Sequence, residues 1–461
     1  MQAPDKELLR EISVFIAKRL GLDFSEDRWP DLQGKLETAA GELGFDHPGA
    51  YARWLTKGEL TVRDLETLAG YLTVGETYFF RDSASFEVLE RKLLPALVAQ
   101  RSDGDRRLRL WSAGCCTGEE AFSLAIACVR AIPDIGTWKV SILGTDVNPK
   151  FLSKAEAASY TQWSFRAAPP WLREGFFSAV PGGKYLVDQR IRELVRFQYL
   201  NLAEDAYPSL HNSSNAMDII FCRNVLMYFS EEQRRRVVTS LHRCLVEGGY
   251  LLVNPVEAAG ALFPMFVTEN IDGVTLFRHS VPPVPIDASP SPVVAIAAPA
   301  ATMPEPLRCL APTPRAPAAA YPRSTPRSEV HGEEALQTAR AYADQGRLEE
   351  ALVLCRNLIA AEPTNRAAHF VSAAICGELD QVDEAIAALG RVLYLDQDFI
   401  LAHHALGGFY KRLDRHRESK RHFAVAMKLL SVRSRDEIVP ESDGMSCGRL
   451  LESIRAMAGM P

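Results

Sequence analysis

A strand that turns through two glycines directly into a helix constrains the fold of this chain more than any other stretch. The apolar residues 108–111 predict a buried strand, Gly114 and Gly118 bracket a loop, and Glu119 opens a helical run. Many α/β folds bind nucleotide-like ligands where a strand passes through glycines into the N-terminus of a helix. Two acids at that helix start, Glu119 and Glu120, would repel a pyrophosphate but suit a ligand with hydroxyls or a positive charge. The segment therefore favours a nucleoside cation such as S-adenosylmethionine over NAD or ATP.

The composition limits the kind of protein that can carry this loop. The chain has 461 residues, of which 47% are hydrophobic and 24% charged, and this suits two or three globular domains. Its net charge of −6 argues against a nucleic-acid-binding protein. The nine cysteines form no Cys-x-x-Cys pair, so we predict neither a metal site nor a disulfide framework. With no signal-peptide core and no run of about 18 apolar residues, we expect a cytoplasmic protein that does not insert into membranes.

Hydrophobic periodicity divides the first 280 residues into two regions. Residues 1–80 repeat apolar residues with a helical period and predict a helical N-terminal domain. Residues 81–280 alternate strands with helices, which is the pattern of a doubly wound α/β domain with a mainly parallel sheet. A small antiparallel insertion is expected at 171–191, where that rhythm is interrupted. Strands are predicted at 108–111, 139–144, 195–199, 217–222 and 250–253, and helices at 119–132, 149–158 and 231–246.

A segment rich in Pro, Ala and Ser follows at 281–331. Such a composition supports neither helix nor sheet and has little apolar surface to bury. We therefore predict an extended, mostly disordered linker between the α/β domain and the rest of the chain.

The chain then repeats itself. A ten-residue pattern that starts at Tyr342 recurs at Cys376 and at Tyr410, a step of 34 residues each time. This period predicts three helix–turn–helix units of the tetratricopeptide (TPR) type over 332–431, rather than an unrelated helical bundle. Residues 432–461 carry apolar positions at helical spacing and are expected to cap the array.

Polar side chains stand at the predicted carboxyl ends of the strands, where α/β sheets bind ligands. Asp146 can accept hydrogen bonds from both ribose hydroxyls or cap the next helix, although Asn148 could supply that cap instead. Asn201 is either a partner for adenine or its neighbours, or a turn residue that closes its strand. Arg223 and Asn224 directly follow a buried strand, and Arg223 either reaches the ligand or pairs with a structural acid.

Together with the motif Thr-Tyr-Phe-Phe-Arg-Asp at 77–82, these features resemble the CheR family, the S-adenosylmethionine-dependent methyltransferases of bacterial chemoreceptors. The resemblance covers about residues 1–280 and includes Ser-Ala-Gly-Cys-Cys-Thr-Gly-Glu-Glu at 112–120, Gly-Thr-Asp-Val-Asn at 144–148 and Phe-Cys-Arg-Asn-Val-Leu-Met-Tyr-Phe at 221–229. It implies a Rossmann-like class I methyltransferase with a helical N-terminal domain and a small β-subdomain. It also implies a cofactor site lined by Thr77, Arg81, Glu119, Asp146, Asn201, Leu202, Arg223 and Asn224.

The resemblance implies a reaction in which a receptor glutamate attacks the sulfonium methyl, giving a methyl ester and S-adenosylhomocysteine. Because a carboxylate is ionised at neutral pH, no strong general base is required. Arg81 would hold the incoming carboxylate or that of the cofactor, and Glu119 the ammonium of the cofactor. Tyr228 would lie beside the transferred methyl, so Arg81 and Tyr228 are the candidate catalytic residues.

The sequence departs from the family pattern at three places. Gly75 stands where many members have Asn, and 253–257 keeps only Glu257 of the usual Gly-His-Ser-Glu-like strand end. The segment 32–43 carries one basic residue, Lys35, where many members have an arginine-rich helix that docks on the receptor. The resemblance still implies the cytoplasmic domain of a methyl-accepting chemoreceptor as the substrate.

The repeats suggest a second route to specificity. TPR stacks present concave grooves to a peptide or protein, and a flexible linker would raise the effective concentration of the enzyme near its partner. A CheR-type protein with TPR repeats resembles those of alternative chemosensory pathways such as the Wsp surface-sensing type. The rival functions are a methyltransferase for small molecules or nucleic acids and a catalytically weak TPR adaptor. Nothing in the sequence demands more than a monomer.

Overall fold

A seven-stranded sheet organises the chain, with a helical domain before it and a helical array after it. The computed structural model describes residues 4–280 and 326–458, apart from positions 59, 103, 105, 211, 436 and 443. Most of the predicted linker 281–331, namely residues 281–325, lies outside the described residues.

The N-terminal domain is helical, as the periodicity predicted. Its start signals are local: Asp5 accepts a hydrogen bond from the backbone of Leu8, and Thr61 and Asp64 form a capping box. After the first helix, the chain docks on the α/β domain through an antiparallel bridge between Leu22 and Phe229. The four helices are α1 (Lys6–Leu20), α2 (Trp29–Leu43), α3 (Pro48–Lys57) and α4 (Val62–Leu72).

Within the described residues, ten strands form two sheets. They are β1 (Arg107–Ala113), β2 (Lys139–Asp146), β3 (Ser159–Thr161), β4 (Phe177–Val180), β5 (Lys184–Val187), β6 (Val195–Tyr199), β7 (Met217–Phe221), β8 (Leu245–Leu252), β9 (Phe266–Ile271) and β10 (Val274–His279). The main sheet has the order β6-β2-β1-β7-β8-β10-β9, and its first five strands are parallel. Along the chain, β1 is followed by β2 and β6, which lie on one side of it in the sheet, and then by β7 and β8 on its other side. The crevice beside β1 and β7 is therefore the topological switch point where such sheets bind ligands.

Helices cover both faces of this sheet. Alternation along the strands separates the two cores, so that Leu110 and Ile219 belong to one apolar cluster and Trp111 and Ile220 to the other. The second of these clusters also includes the N-terminal domain. The helices are α5 (Ser83–Val88), α6 (Leu94–Arg101), α7 (Glu119–Ala131), α8 (Pro149–Ala157), α9 (Pro170–Phe176), α10 (Gln189–Arg192) and α11 (Glu231–Cys244).

The structure confirms the α/β class but corrects two details. The antiparallel insertion begins earlier than position 171, because the three-residue strand β3 pairs with β5 and completes a sheet of order β3-β5-β4. The hairpin β9–β10 was not predicted at all. Its turn contains Asp272 and Gly273 with φ of 51° and 85°, the Asp-Gly pairing that favours a tight hairpin.

The array consists of three helix pairs followed by a capping helix. Gly407 illustrates the repeat packing, because a Cβ there would lie 2.4 Å from the ring of Phe423. The first helix begins at Pro326, inside the segment assigned to the linker, since proline is well tolerated in the first turn of a helix. The helices are α12 (Pro326–Asp344), α13 (Leu348–Ala361), α14 (Arg366–Glu378), α15 (Val382–Leu395), α16 (Ile400–Arg412), α17 (His416–Ser431) and α18 (Cys447–Ala458).

The array lies directly against the α/β domain. The backbone N–H of Ala216 donates to the carbonyl of Asp344 at 3.0 Å, and Arg109 on β1 pairs with Glu378 at the end of α14. The sequence did not predict these contacts between the array and the α/β domain. Within the described ranges, no helix has the length and apolarity needed to cross a bilayer.

Asp218 on β7 provides a test of what stabilises the sheet. Its buried carboxylate accepts hydrogen bonds from the Arg101 guanidinium and from the Arg109 backbone at 2.8 Å. Asp218→Ala would leave the Arg109 N–H unpaired and remove the carboxylate partner of the Arg101 guanidinium, so we expect urea unfolding to show a loss of about 3 kcal/mol. The matched control is Asp205→Ala, whose 85% exposed side chain pairs with Arg243 and should cost less than about 1 kcal/mol. Equal losses in the two variants would contradict this assignment.

Candidate functional site

A cavity lies at the carboxyl ends of β1, β2, β6 and β7 and is closed by the N-terminal domain. Leu20, Leu22, Phe24 and Arg28 contribute from the N-terminal side. All but one of the residues predicted for the site line this cavity: Thr77, Arg81, Asp146, Asn201, Leu202, Arg223, Asn224 and Tyr228.

The loop between β1 and α7 is held close to its neighbours. The N–H groups of Gly114 and Cys115 both donate to the carbonyl of Thr145 at 2.8 Å, which fixes the loop to the end of β2. Gly114 has a φ of +82°, and a Cβ there would lie 2.4 Å from Cγ2 of Val225 on the facing loop. A side chain at position 114 would therefore force apart the two loops that form this wall of the cavity.

Asp146 ends β2 with its carboxylate in the cavity. Its Oδ2 accepts from the N–H of Cys116 and its Oδ1 from that of Asn148, both at 2.9 Å. Each oxygen keeps acceptor capacity for a ligand. Asn148 caps α8 by accepting from the backbone of Lys150, so Asp146 is not needed as the cap. Burial raises the pKa of Asp146 to about 6, although the two backbone hydrogen bonds favour the charged form.

The two glutamates at the start of α7 point in different directions, because successive helical residues are rotated by about 100°. Glu119 does not line the cavity, contrary to prediction; its carboxylate accepts from Thr117 Oγ1 at 2.6 Å and Ser164 Oγ at 2.9 Å. Glu120 lines it instead and accepts from Ser112 Oγ at 2.7 Å. The carboxylate available to a ligand is therefore that of Glu120. The pair of glutamates in the sequence indicated this site, but the spacing alone did not show which of the two faces the cavity.

Arg223 connects three parts of the site from a buried position. Its guanidinium donates to the carbonyl of Arg81 at 2.8 Å, to Asp82 at 3.1 Å and to Glu120 at 3.4 Å. Arg223 therefore pairs with two acids and also lines the cavity. Burial raises the pKa of Glu120, and the positive charge of Arg223 opposes that shift.

Glu257 shapes the loop after β7, a role that the sequence did not reveal. Asn224 has a φ of +59°, and its N–H donates to Glu257 Oε2 at 2.8 Å. The same carboxylate accepts from the N–H groups of Met227 at 3.1 Å and Asn254 at 3.2 Å. Glu257 therefore holds the loop that carries Asn224 and Tyr228 into the cavity.

Two arginines place positive charge near Tyr228. Arg81 lines the cavity and donates to the carbonyl of Glu76 at 2.5 Å. Arg28, from the short turn Glu26–Arg28, lines it from the N-terminal domain and lies over the ring of Phe24. Burial raises the pKa of Tyr228, while both arginines act in the opposite direction. Sequence reasoning missed Arg28, because no motif surrounds it and a distant fold contact brings it to the site.

Asn201 lines the cavity, but its side chain serves the protein. Its Nδ2 donates to the carbonyl of Arg19 at 3.0 Å and to Glu204 at 3.1 Å, and its Oδ1 accepts from Ala203 N–H. This conformation supports the interpretation of Asn201 as a residue that closes the turn after β6. Among the described residues, no group of three His, Cys, Asp or Glu side chains is arranged to hold a metal.

Comparisons with known proteins match two separate parts of the chain. The family described as CheR methyltransferase, SAM binding domain matches residues 75–262, and a tetratricopeptide repeat family matches residues 342–407. Chemotaxis protein methyltransferase 1 of Pseudomonas aeruginosa is 33% identical over 262 residues, which cover 56% of this chain and 91% of that protein. Chemotaxis protein methyltransferase 2 of Vibrio cholerae is 32% identical, with 47% of this chain and 72% of that protein covered.

A third relative extends the similarity beyond the α/β domain. The probable biofilm formation methyltransferase WspC of Pseudomonas putida is 29% identical over 397 residues. The match covers 83% of this chain and 89% of that protein. Because the match covers 83% of this chain, the similarity extends beyond the α/β domain into the array.

The two glutamates of α7 give a paired test of the site. We expect Glu120→Gln to weaken binding of S-adenosylhomocysteine about tenfold, because it removes a charged acceptor from the cavity wall. Glu119→Gln is the matched control, one residue away but outside the cavity, and should change affinity less than about threefold. Isothermal titration calorimetry of both variants measures the difference. A larger loss at position 119 would contradict the placement of these side chains.

Proposed function

The chain belongs to the CheR family of S-adenosylmethionine-dependent methyltransferases, and from this we propose which residues of its cavity bind the cofactor and orient the substrate. The enzyme transfers the cofactor's methyl group to glutamate side chains of a chemoreceptor cytoplasmic domain, forming methyl esters. One observation carries the assignment of residues: Glu120, Asp146, Arg81 and Tyr228 share one cavity at the switch point of the sheet.

The cavity fits S-adenosylmethionine by its donor and acceptor set. Asp146 would accept hydrogen bonds from the ribose hydroxyls, since both of its oxygens have acceptor capacity left. Glu120 would face the ammonium group, a role that the sequence had given to Glu119. Arg81 would bind a carboxylate, and Val147 and Phe151 offer apolar surface to the adenine. When bound, the cofactor supplies an electrophilic methyl group on its sulfonium sulfur.

The residues of the chain orient the substrate more than they activate it. The receptor glutamate, with an ordinary pKa of about 4.3, is already a nucleophilic carboxylate at neutral pH. Arg28 and Arg81 would attract and align it beside Tyr228. The Tyr228 hydroxyl is protonated at neutral pH, because the ordinary pKa of tyrosine is about 10 and burial raises the pKa of Tyr228 further; it can therefore donate a hydrogen bond and would not compete for the methyl group.

Two cysteines next to the site could also compete for the methyl group if their thiols were ionised. Cys115 and Cys116 line the cavity, and a thiolate there would be a stronger nucleophile than a carboxylate. Burial, together with the negative charge of Asp146, raises the pKa of both thiols. Both therefore stay protonated at neutral pH, which reserves the methyl group for the incoming glutamate.

The partners follow from the relatives and the array. With a receptor cytoplasmic domain as its substrate, the enzyme would act in the cytoplasm, and the array would bind a further peptide or protein. Similarity to a probable biofilm formation methyltransferase over most of both chains supports a role in a surface-sensing pathway of the Wsp type. A monomer suffices, since a single chain supplies every residue of the cavity. The adaptor alternative is not favoured, because the charged groups of the cofactor cavity are present.

Transfer of a radiolabelled methyl group to purified receptor cytoplasmic domains tests this function. We expect label that is released by mild base, as a methyl ester requires. Arg81→Ala should slow transfer about tenfold or more, because a charged contact to a carboxylate is lost. Arg10→Ala, an exposed ion-pair variant of α1, should transfer at the normal rate. Cofactor binding without label on any receptor domain would favour the adaptor alternative.

The pH dependence of cofactor binding tests Asp146. In the free protein its pKa is raised to about 6, and only the charged carboxylate accepts from both hydroxyls of a ribose. Affinity for S-adenosylhomocysteine should therefore be highest above pH 6 and fall as the pH drops through that value, by about tenfold per unit. Asp146→Asn should bind more weakly at pH 7.5 and lose the transition near pH 6. A transition that persists in the variant would assign it to another group.

A further inference from the structure

The segment that follows β6 forms one wall of the cofactor cavity. Leu200, Asn201 and Leu202 all line the cavity, directly after the last residue of the strand, Tyr199. The segment is fixed to β2 at one point, where Leu200 N–H donates to the Asp146 carbonyl at 3.2 Å. The carbonyl of Leu202 also accepts from the hydroxyl of Tyr207 at 2.8 Å, and further supports come from the two ends of the chain.

The C-terminal capping helix holds this segment on both sides. Arg449 on α18 donates to Glu204 Oε2 at 2.7 Å and to the hydroxyl of Tyr199 at 3.0 Å. Its guanidinium also lies 4.2 Å from the centroid of the Tyr199 ring. The side chain of Arg449 is 18% exposed, so these contacts are screened less than a surface ion pair would be.

The contact continues into the cavity wall. Glu204 Oε1 accepts from both Arg449 at 3.2 Å and Asn201 Nδ2 at 3.1 Å. Asn201 in turn donates to the carbonyl of Arg19 in the last turn of α1. One unbroken chain of hydrogen bonds therefore runs from the capping helix through the cofactor wall to the N-terminal domain.

We propose that Arg449 is a positioning residue that couples the docked repeat array to cofactor binding. By orienting Glu204, it holds the Asn201 amide and thereby the Leu200–Leu202 wall in the conformation that accepts the cofactor. This inference rests on the proposed function of the cavity. Because coupling is reciprocal, a protein partner that draws the capping helix away would weaken cofactor binding, and the cofactor would strengthen docking of the array.

Among the described residues, two other contacts of the array with the α/β domain lie away from the cavity. Glu378 pairs with Arg109, and Asp344 accepts from Ala216, but none of these four residues lines the cofactor cavity. The same interface therefore offers a matched control, in which docking is weakened without any change near the cofactor.

Calorimetry of the full-length chain with S-adenosylhomocysteine separates positioning from docking. We expect Arg449→Ala to weaken binding about tenfold and Arg449→Lys to weaken it less, since an ammonium keeps the charge but cannot make the same set of contacts. Glu378→Gln should bind within about twofold of the wild type. If Arg449→Ala does not fold, Arg449→Lys compared with Glu378→Gln decides the question.

The outcomes distinguish this inference from the function on which it rests. Wild-type protein that fails to bind S-adenosylhomocysteine would overturn the proposed function. Wild-type binding with unchanged affinity in folded Arg449 variants would overturn the coupling alone. So would an equal loss in Glu378→Gln, because the effect would then belong to docking in general.

Discussion

The close approach of two loops at the switch point is the constraint on which the site depends. The backbone after β1 passes so near Val225 that only a glycine fits at position 114, and two N–H groups tie that loop to the end of β2. This packing brings the carboxyl ends of β1, β2 and β7 together. It places Asp146 against the N–H of Cys116 and leaves both carboxylate oxygens with capacity for a ligand.

Buried charge decides which polar groups remain available around that loop. Arg223 is almost fully buried and lies between Asp82 and Glu120, so its charge is balanced before any ligand enters. Tying the Arg81 segment to α7 in this way fixes the positions of an arginine and a glutamate that face the cavity. Glu119, one residue away, is bound instead by two hydroxyls. The positions of the charges thus follow from ion pairs as much as from the glycine loop.

Local signals in the sequence predicted much of this arrangement. The glycine turn and the helix cap at Asn148 each act over a few residues, the repeats recur at a regular 34-residue step, and the corresponding elements are present. Most errors arise where a contact between residues far apart in the sequence decides which side chain faces the cavity. The side of α7 on which a glutamate faces the cavity depends on Ser164 and Arg223, and Arg28 reaches the cavity only because the N-terminal domain packs there. The hairpin at Asp272-Gly273 did carry a local signal, which the strand prediction overlooked.

Three parts of the chain converge on the cofactor cavity: the strand ends, the last turn of α1 and, through Arg449, the capping helix. Hydrogen–deuterium exchange of the full-length chain, with and without S-adenosylhomocysteine, measures directly whether this cavity is the binding site. The account predicts slowed exchange in 114–120, 146–148, 200–204 and 223–229, with a smaller effect in the last turn of α1. Unchanged exchange in these segments, or protection confined to the repeat array, would contradict it.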